Sequence, residues 1–257
     1  MHHKFGNTKK YLLSSIFVLA SAEAQQYDFS TETELHPGFV FLTDADPTII
    51  ESPRYHQSQN FLGRAVEGYT TPRIICTQEA AEQLKAAHAA LNKQGYKLVV
   101  YDGYRPQRAV NEFMRWSHDE ADQAAKKLYY PTVHKKDVFK LGYVAEKSGH
   151  SRGSTFDLTI IKDGEQLKPI TVSYRQLLNG EKIPFLDDNT EDMGSSFDLF
   201  HEISHHDSQL VEKPYLEKRN FLRTVMKQHG FNDYKEEWWH YTLTDEPYSQ
   251  TYFDFIA

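Results

Sequence analysis

The stretch SGHSRGSTFDLTI, residues 148–160, decides how the rest of the chain is interpreted. It begins as a turn rich in glycine and serine that contains His150, and it continues as an apolar segment that contains Asp157. Apolar and polar residues alternate in that segment, which predicts a strand with Phe156, Leu158 and Ile160 facing the core. Asp157 would point the other way, into a cleft or solvent. The stretch is therefore either part of a metal site or a polar turn leading into a sheet.

The segments around this stretch predict helices and strands in no regular alternation. A helix starting at Pro106 would turn Val110, Phe113 and Met114 towards the core. The irregular order favours an α+β fold over a doubly wound sheet. We therefore expect a single domain with a central, mostly antiparallel sheet flanked by helices. The expected helices are residues 77–95, the one from Pro106, 135–147 and 214–229, and the expected strands are 96–102, 155–161 and 237–243.

The first 24 residues differ from the rest of the chain. Three lysines precede the apolar run YLLSSIFVLA, which is followed by an A-x-A ending at Ala24. This is the organisation of a secretory signal peptide, so we predict cleavage after Ala24 and a mature domain of residues 25–257 in the periplasm or outside the cell. A membrane anchor is the alternative, but ten apolar residues are short for a bilayer. We expect no membrane span in the mature chain.

Charge and cysteine content narrow the partners and the metal ligands. The formal net charge is −7, and an acidic surface does not favour nucleic acid or anionic lipid. Cys76 is the only cysteine, so the chain forms no internal disulfide. It lies in the apolar run RIICT, where a buried hydrophobic role is expected. Any metal site would therefore use nitrogen and oxygen ligands.

Two strands and one turn can assemble such a site. If the strands at 155–161 and 237–243 are neighbours, Asp157 and His240 converge, and His150 can reach the same point. Two imidazoles and one carboxylate leave a fourth tetrahedral position for water, which is the catalytic arrangement for zinc. Each residue alone has an ordinary structural role, and the sequence does not prove that the strands adjoin. His205 and His206 compete as ligands, but adjacent residues diverge on a regular element, so we assign them a structural or supporting role.

Two further residues would complete a hydrolytic centre. Glu237 could act as general base towards water on the metal. On a regular strand it would project away from His240, so it reaches the site only if the strand begins near Trp238 or if a bulge intervenes. We predict the first. Arg105, in YDGYRP at a strand-to-helix junction, could stabilise an oxyanion, although alone it would be a salt-bridge partner.

The motifs together resemble a known family. SGHSRGSTFDLT is similar to the S-x-H-x-x-G-x-x-x-D signature of the zinc D,D-peptidases, which include D,D-carboxypeptidases and the hedgehog signalling domain. The closer resemblance is to the D-alanyl-D-alanine dipeptidase family, whose motifs follow in the same order. Those motifs are RYHQSQNFLGRAVEGY, DGYRPQRAVNEFM, GYVAEKSGHSRGS, MGSSFDLFHEISHH, EWWHYTL and DEPYSQTYFDF.

The resemblance implies a role for each matching residue and one Zn²⁺ ion per chain. It implies that Glu237 is the catalytic base, that Arg105 stabilises the transition state, and that Asp198 lies near the free amino group of the substrate. The implied zinc ligands are His150, Asp157 and His240, and the residues implied to line a small pocket are Tyr55, Tyr69 and Ser148.

The implied reaction is hydrolysis of D-alanyl-D-alanine to two D-alanines in cell-wall peptide turnover or recovery, so the expected partner is a small D,D-dipeptide. A carboxylate that must pair with an ammonium group rejects longer peptides, whose amide carries no charge there. Residues 162–192 are polar, predict an excursion from the domain, and are longer than the corresponding family loop, so they could cover the pocket and alter substrate size. A D,D-carboxypeptidase acting on longer muropeptides and a non-catalytic zinc-containing binding module remain alternatives.

Overall fold

The structure is a computed structural model that describes residues 1–2 and 35–257. Residues Leu35–Ala257 form one compact unit, and the description below concerns this unit. The predicted signal peptide and its cleavage point at Ala24 lie outside the described residues, apart from the first two. No helix in the described part of the chain is long and apolar enough to cross a bilayer.

Helices and strands follow one another without a repeating order. The strands are β1 (Phe39–Phe41), β2 (Ile50–Glu51), β3 (Ile75–Thr77), β4 (Tyr96–Asp102), β5 (Thr155–Lys162), β6 (Thr171–Gln176), β7 (Lys182–Asp187), β8 (Phe231–Tyr234) and β9 (Glu237–Leu243). The helices are α1 (Leu42–Ala45), α2 (Gln78–Asn92), α3 (Gln107–His118), α4 (Lys126–Tyr129) and α5 (Lys213–Gln228). Short 3₁₀ turns occupy Lys135–Asp137, Gly149–Arg152 and Glu202–Ser204.

A five-stranded sheet organises the domain. Its strand order is β2-β4-β5-β9-β8, and every neighbouring pair is antiparallel except β2 with β4. Helices α2 and α5 pack against it, and their leucines share one buried cluster with the apolar residues of β4 and β5. The predicted α+β domain with a mostly antiparallel sheet is confirmed.

Helices α2, α3 and α5 begin within one residue of their predicted starts, although α2 ends at Asn92, three residues before its predicted end. The Thr77 hydroxyl accepts a hydrogen bond from the Ala80 N–H at 3.3 Å and caps α2, and Gly95 after the helix takes a φ of +81° that suits glycine. Helix α3 buries Val110 and Phe113 as expected, but Met114 is only half-buried, and Trp116 fills the inner position instead. The prediction for Met114 was wrong because the buried stripe of α3 passes to one side of it.

The helix predicted over residues 135–147 does not form. Only a single 3₁₀ turn is present there. Lys135 is buried, and its ammonium donates hydrogen bonds to the carbonyl oxygens of Asp119 at 2.7 Å and Asp122 at 2.8 Å. Its Nζ also lies 4.4 Å from the ring centroid of Trp116. These tertiary contacts, and Gly142 with a φ of +83°, outweigh the local preference for a helix.

The sheet contains a bulge that prepares the site. Val100 pairs with Leu158 and Asp102 with Asp157, so Tyr101 is the extra residue in β4. The bulge sets Asp102 directly opposite Asp157. It also sends the Tyr101 hydroxyl away from the site, where it donates a hydrogen bond to Asp188 at 2.8 Å.

Residues 162–192 contain a β-hairpin. Strands β6 and β7 pair with each other in a separate two-stranded sheet. Leu177, at the end of β6, is buried, whereas Leu178 beside it is exposed. No residue of 162–192 lines the cavity described next. Elsewhere, Cys76 is fully buried and burial raises the pKa of its thiol, as a structural hydrophobe requires.

Candidate metal centre

Three side chains converge at the centre of the sheet. Asp157 on β5 pairs with His240 on β9, and His150 comes from the 3₁₀ turn that precedes β5. The Asp157 Oδ1 atom lies 3.3 Å from His150 Nε2 and 3.2 Å from His240 Nδ1. One ligand atom from each residue fits within 4.8 Å of the other two. These three residues form the one such group found within residues 35–257.

The free lone pairs of this group fit a metal ion. His150 Nδ1 donates to the Gly103 carbonyl oxygen at 2.8 Å, which leaves Nε2 unprotonated and pointing at Asp157. His150 Nε2 and Asp157 Oδ1 are both buried without a hydrogen-bond partner. Buried polar atoms are normally paired, so two unpaired acceptors facing each other mark a place for a cation.

The electrostatics of the group also favour a positive charge. Burial alone raises the pKa of Asp157, but the two imidazoles outweigh it and hold the pKa below its usual range. Burial lowers the pKa of His240, yet the nearby carboxylates of Asp157 and Glu237 raise it to about 9. Without a metal, His240 therefore takes up a proton at neutral pH. A bound cation would supply the charge that this proton supplies.

Glu237 reaches the group through a bulge in β9. Asp233 of β8 pairs with Tyr241 and Tyr234 pairs with Glu237, so three residues of β9 have no partner in β8. The strand begins at Glu237, and our prediction that it begins near Trp238 was wrong; the bulge is what turns the side chain. Glu237 Oε2 lies 3.3 Å from His240 Nδ1, and burial raises the pKa of Glu237.

Arg105 is held beside the group by a carboxylate. Its Nε donates to Asp102 Oδ2 at 2.9 Å, and its Nη2 lies 3.4 Å from Asp157 Oδ2. The guanidinium carbon is 4.9 Å from the centroid of the Tyr55 ring, and the side chain is buried. The neighbouring acidic groups keep the pKa of Arg105 well above its usual value despite burial. The arrangement fixes a permanent positive charge at the wall of the cavity.

The group opens into a small cavity of about 240 Å³. Sites for drug-sized ligands span roughly 300–1,000 Å³, so this cavity suits a smaller molecule. Tyr55, Ser148 and Asp198 line it together with the ligand group, Glu237 and Arg105. The Tyr55 hydroxyl donates to Asp198 Oδ2 at 2.7 Å. Burial, and then the charge of Asp157, raise the pKa of Asp198 well above its usual value.

Tyr69, His205 and His206 lie elsewhere. Tyr69 is not among the lining residues; its hydroxyl donates to Asp102 Oδ1 at 2.8 Å, so it supports Arg105 from behind. His206 is fully buried, and burial lowers its pKa to about 4, so it stays neutral. His205 Nε2 lies 3.5 Å from the Tyr143 hydroxyl. Neither histidine belongs to the ligand group.

Sequence reasoning missed several residues of the site. Asp102, the carboxylate that holds Arg105, stands three residues before it in the quoted motif DGYRP, and that spacing was the available signal. Tyr143 and Tyr234 also line the cavity; Tyr143 belongs to the quoted motif GYVAEKSGHSRGS, whereas Tyr234 lies in no quoted motif. Arg152 also lines it and forms a two-bond ion pair with Glu246 at 2.6 and 2.8 Å.

A buried His-Asp-His group beside a carboxylate, a guanidinium and a small cavity is the site of a metal-dependent peptidase. Comparison with family models agrees with this class. The model described as D-ala-D-ala dipeptidase, of the M15 peptidases, matches residues 35–171 and 186–257. The chain belongs to this family.

Curated relatives match the chain over a similar length. The chain is 41% identical over 218 residues to a D-alanyl-D-alanine dipeptidase of Enterococcus faecium. The aligned stretch covers 85% of this chain and 97% of that protein. It is 38% identical over 220 residues to the protein of that name from Enterococcus faecalis, covering 86% and 98%. It is also 38% identical over 217 residues to the one from Streptomyces coelicolor, covering 84% and 96%. The similarity therefore extends across almost the whole of each relative.

Proposed function

We propose that this chain is a zinc-dependent dipeptidase that hydrolyses D-alanyl-D-alanine to two D-alanines. The observation that carries the proposal is the position of Asp198, a buried carboxylate in the wall of the same small cavity as the His-Asp-His group. A buried carboxylate needs a positive partner, and the α-ammonium of a dipeptide supplies one. The names of the relatives support the same substrate.

The proposed metal is zinc, held by His150, Asp157 and His240. Imidazole nitrogen and carboxylate oxygen are ligands that zinc accepts, and three protein ligands with an open position are typical of its catalytic sites. When bound, zinc would acidify a water molecule and polarise the scissile carbonyl. The Gly103 carbonyl keeps His150 in the tautomer that this role requires.

The remaining roles belong to the side chains around the cavity. Glu237, whose pKa is raised by burial, takes the proton released when water attacks and delivers it to the leaving amine. Arg105 faces the negative charge that develops on the carbonyl oxygen, in a position set by Asp102. Asp198, oriented by the Tyr55 hydroxyl, binds the ammonium group of the substrate. Ser148 completes the wall of the cavity beside His150.

Release of free D-alanine tests the proposal directly. Purified residues 25–257, with metal content measured by plasma emission, would be given D-Ala-D-Ala and a pentapeptide ending in D-Ala-D-Ala. We expect one zinc per chain and cleavage of the dipeptide alone. Cleavage of the pentapeptide would favour the carboxypeptidase alternative, because its amide nitrogen carries no charge for Asp198. Binding of zinc without cleavage of either substrate would favour the binding-module alternative.

We also propose that the chain is exported and serves cell-wall peptide turnover or recovery. The support is the basic, apolar and A-x-A order of residues 1–24. N-terminal sequencing of the protein recovered from the periplasm or medium should begin at Gln25. Replacement of Ala24 by lysine should block cleavage and leave the precursor in the membrane fraction. A protein that keeps its first residues and stays in the cytoplasm would contradict export.

A further inference from the structure

The β6–β7 hairpin is the part of the chain that sets it apart from its family. The family model matches up to residue 171 and again from residue 186, so residues 172–185 have no counterpart in it. These residues make up most of the hairpin. They do not line the metal-site cavity, so the hairpin is not a cover over the substrate. The hairpin instead contacts residues 196–203, the segment that contains Asp198.

An apolar contact joins the hairpin to the residue after Asp198. Leu177, just after β6, and Ile183, on β7, are buried in one cluster with Leu199 and Ile203. Ile183 is fully buried, although it lies in a two-stranded sheet with no second layer of its own. The same cluster includes Val211, with Leu210, Tyr215 and Leu216 packed against it, so the hairpin packs on the Asp198 segment and on the start of α5. The contact therefore stabilises the hairpin and the segment together.

A polar contact joins them two residues further on. Glu181, in the hairpin turn, places its Oε1 atom 3.1 Å from His201 Nε2. His201 Nδ1 accepts a hydrogen bond from the Ile203 N–H at 3.0 Å. Since Nδ1 accepts, the ring proton lies on Nε2 and is donated to Glu181. A third contact precedes Asp198, where the Leu186 N–H donates to Ser196 Oγ at 2.7 Å.

Asp198 needs such support because its backbone is strained. Its φ is +58°, in the left-handed region that a non-glycine residue occupies only when its surroundings hold it there. Arg219 also holds the segment, because it donates to the carbonyl oxygens of Met193 at 2.6 Å and Ile203 at 2.9 Å. The hairpin contacts residues 196, 199 and 201, so its contacts bracket Asp198 on both sides in the chain.

We propose that the hairpin is a buttress that positions Asp198 and so sets the preference for substrates with a free ammonium group. Leu177, Glu181 and Ile183 act as positioning residues, since none of them contacts the cavity. This inference rests on the proposed function of Asp198 as the ammonium anchor. A displaced anchor weakens substrate binding and leaves the metal group, on β5, β9 and the turn that precedes β5, unchanged.

A shortened hairpin tests the proposal. Val172 and Leu186 face each other across the ladder, so an Asn-Gly dipeptide can replace Ser173–Phe185 and close the strands with a two-residue turn. We expect KM for D-Ala-D-Ala to rise about tenfold with zinc content unchanged and kcat within about threefold. The ratio of kcat/KM between D-Ala-D-Ala and N-acetyl-D-Ala-D-Ala should fall by about the same factor, because the acetylated peptide does not use Asp198.

Point variants separate positioning from a general loss of folding. The substitutions Glu181→Ala and Ile183→Ala should each raise KM in the same direction, and Glu181→Gln should restore it because the amide oxygen still accepts from His201. Tyr174→Ala is the matched control, because Tyr174 lies on β6 of the same hairpin with 56% of its surface exposed. It should leave KM unchanged. An effect of Tyr174→Ala equal to that of Glu181→Ala would overturn the proposal.

Hydrogen exchange keeps this test separate from the test of the proposed function. The Phe200 N–H donates to the Tyr129 carbonyl oxygen at 2.7 Å, so its exchange rate reports on the Asp198 segment without any substrate. The shortened chain should exchange this amide at least tenfold faster. If exchange is faster but the wild type does not cleave D-Ala-D-Ala, the buttress stands and the proposed function fails. If exchange and KM are both unchanged in a folded, zinc-loaded protein, the buttress proposal is refuted.

Discussion

Replacing Asp198 with asparagine removes the charge that the carboxylate would present to a bound ammonium group, and almost nothing else. The side chain is buried with 4% of its surface exposed, and asparagine has nearly the same shape. Its amide oxygen can still accept the hydrogen bond that the Tyr55 hydroxyl donates at 2.7 Å. The charge that would meet the ammonium group of the substrate is lost. D198N therefore isolates the electrostatic part of recognition from packing.

The expected loss follows from the strength of a charged hydrogen bond. Such a bond is worth about 1.5–3 kcal/mol, so kcat/KM for D-Ala-D-Ala should fall by about 10- to 150-fold. N-acetyl-D-Ala-D-Ala presents no ammonium, and its kcat/KM should stay the same or increase. The assay is release of free D-alanine from each peptide by wild type and D198N at equal zinc content. Equal losses on both peptides would refute the anchoring role and leave Asp198 a structural residue.

The same substitution changes stability with a definite sign. The pKa of Asp198 in the folded chain is raised above its unfolded value, so folding takes up a proton in the pH range between the two. In the wild type, stability is therefore lost as pH rises through that range. D198N has no such proton to lose, and in urea titrations without substrate it should be more stable than the wild type at the upper end of the range. A variant less stable than the wild type at every pH would contradict the unfavourable burial of this carboxylate.

Three further substitutions test separate parts of the structure. E237Q should lower kcat by about 10²- to 10⁴-fold with zinc content unchanged, as measured by plasma emission, because the amide cannot take up the proton. R105K should lower kcat by about 10²- to 10³-fold with a smaller effect on KM, since lysine cannot keep both the Asp102 bond and the cavity position. R219M should lower the free energy of unfolding in urea by about 3 kcal/mol or more, because it leaves several buried carbonyl oxygens without a donor. An unchanged kcat in either of the first two, or an unchanged urea midpoint in the third, would contradict the corresponding role.

The sequence predicted the helices and strands for which the local residue pattern and the packing in the fold favour the same secondary structure. Strand β4 has the predicted bounds, and β5 differs only in continuing to Lys162, because alternation along the strand and burial in the sheet demand the same residues. The turn at His150 and the pairing of Asp157 with His240 followed from two strands becoming neighbours. Helix α2 followed from its cap at Thr77. The helix and strand bounds needed no knowledge of the rest of the fold, whereas the pairing of Asp157 with His240 depended on the sheet order that the structure shows.

The failures came where distant contacts decide the local conformation. The segment that begins at Lys135 does not form a helix, because the Lys135 ammonium donates hydrogen bonds to two carbonyl oxygens of another segment. The orientation of Glu237 depends on a bulge in the pairing of β8 with β9. The sequence of β9 alone does not reveal that pairing. The hairpin could have been predicted, since Asn179-Gly180 between two runs of strand-forming residues is a signal for a tight turn.

The buried carboxylate at Asp198 has a consequence for how the enzyme would respond to its own output. Both amino acids released from D-Ala-D-Ala are free D-alanine with an α-ammonium group, so under the proposed anchoring role of Asp198 free D-alanine would compete with the dipeptide for the cavity. Turnover would slow as product accumulates around the protein. If the protein is exported as proposed, diffusion and uptake would keep the D-alanine concentration around it low. Tight binding of the ammonium group would then cause little product inhibition. In a closed compartment, where D-alanine accumulates, the same carboxylate would cause product inhibition.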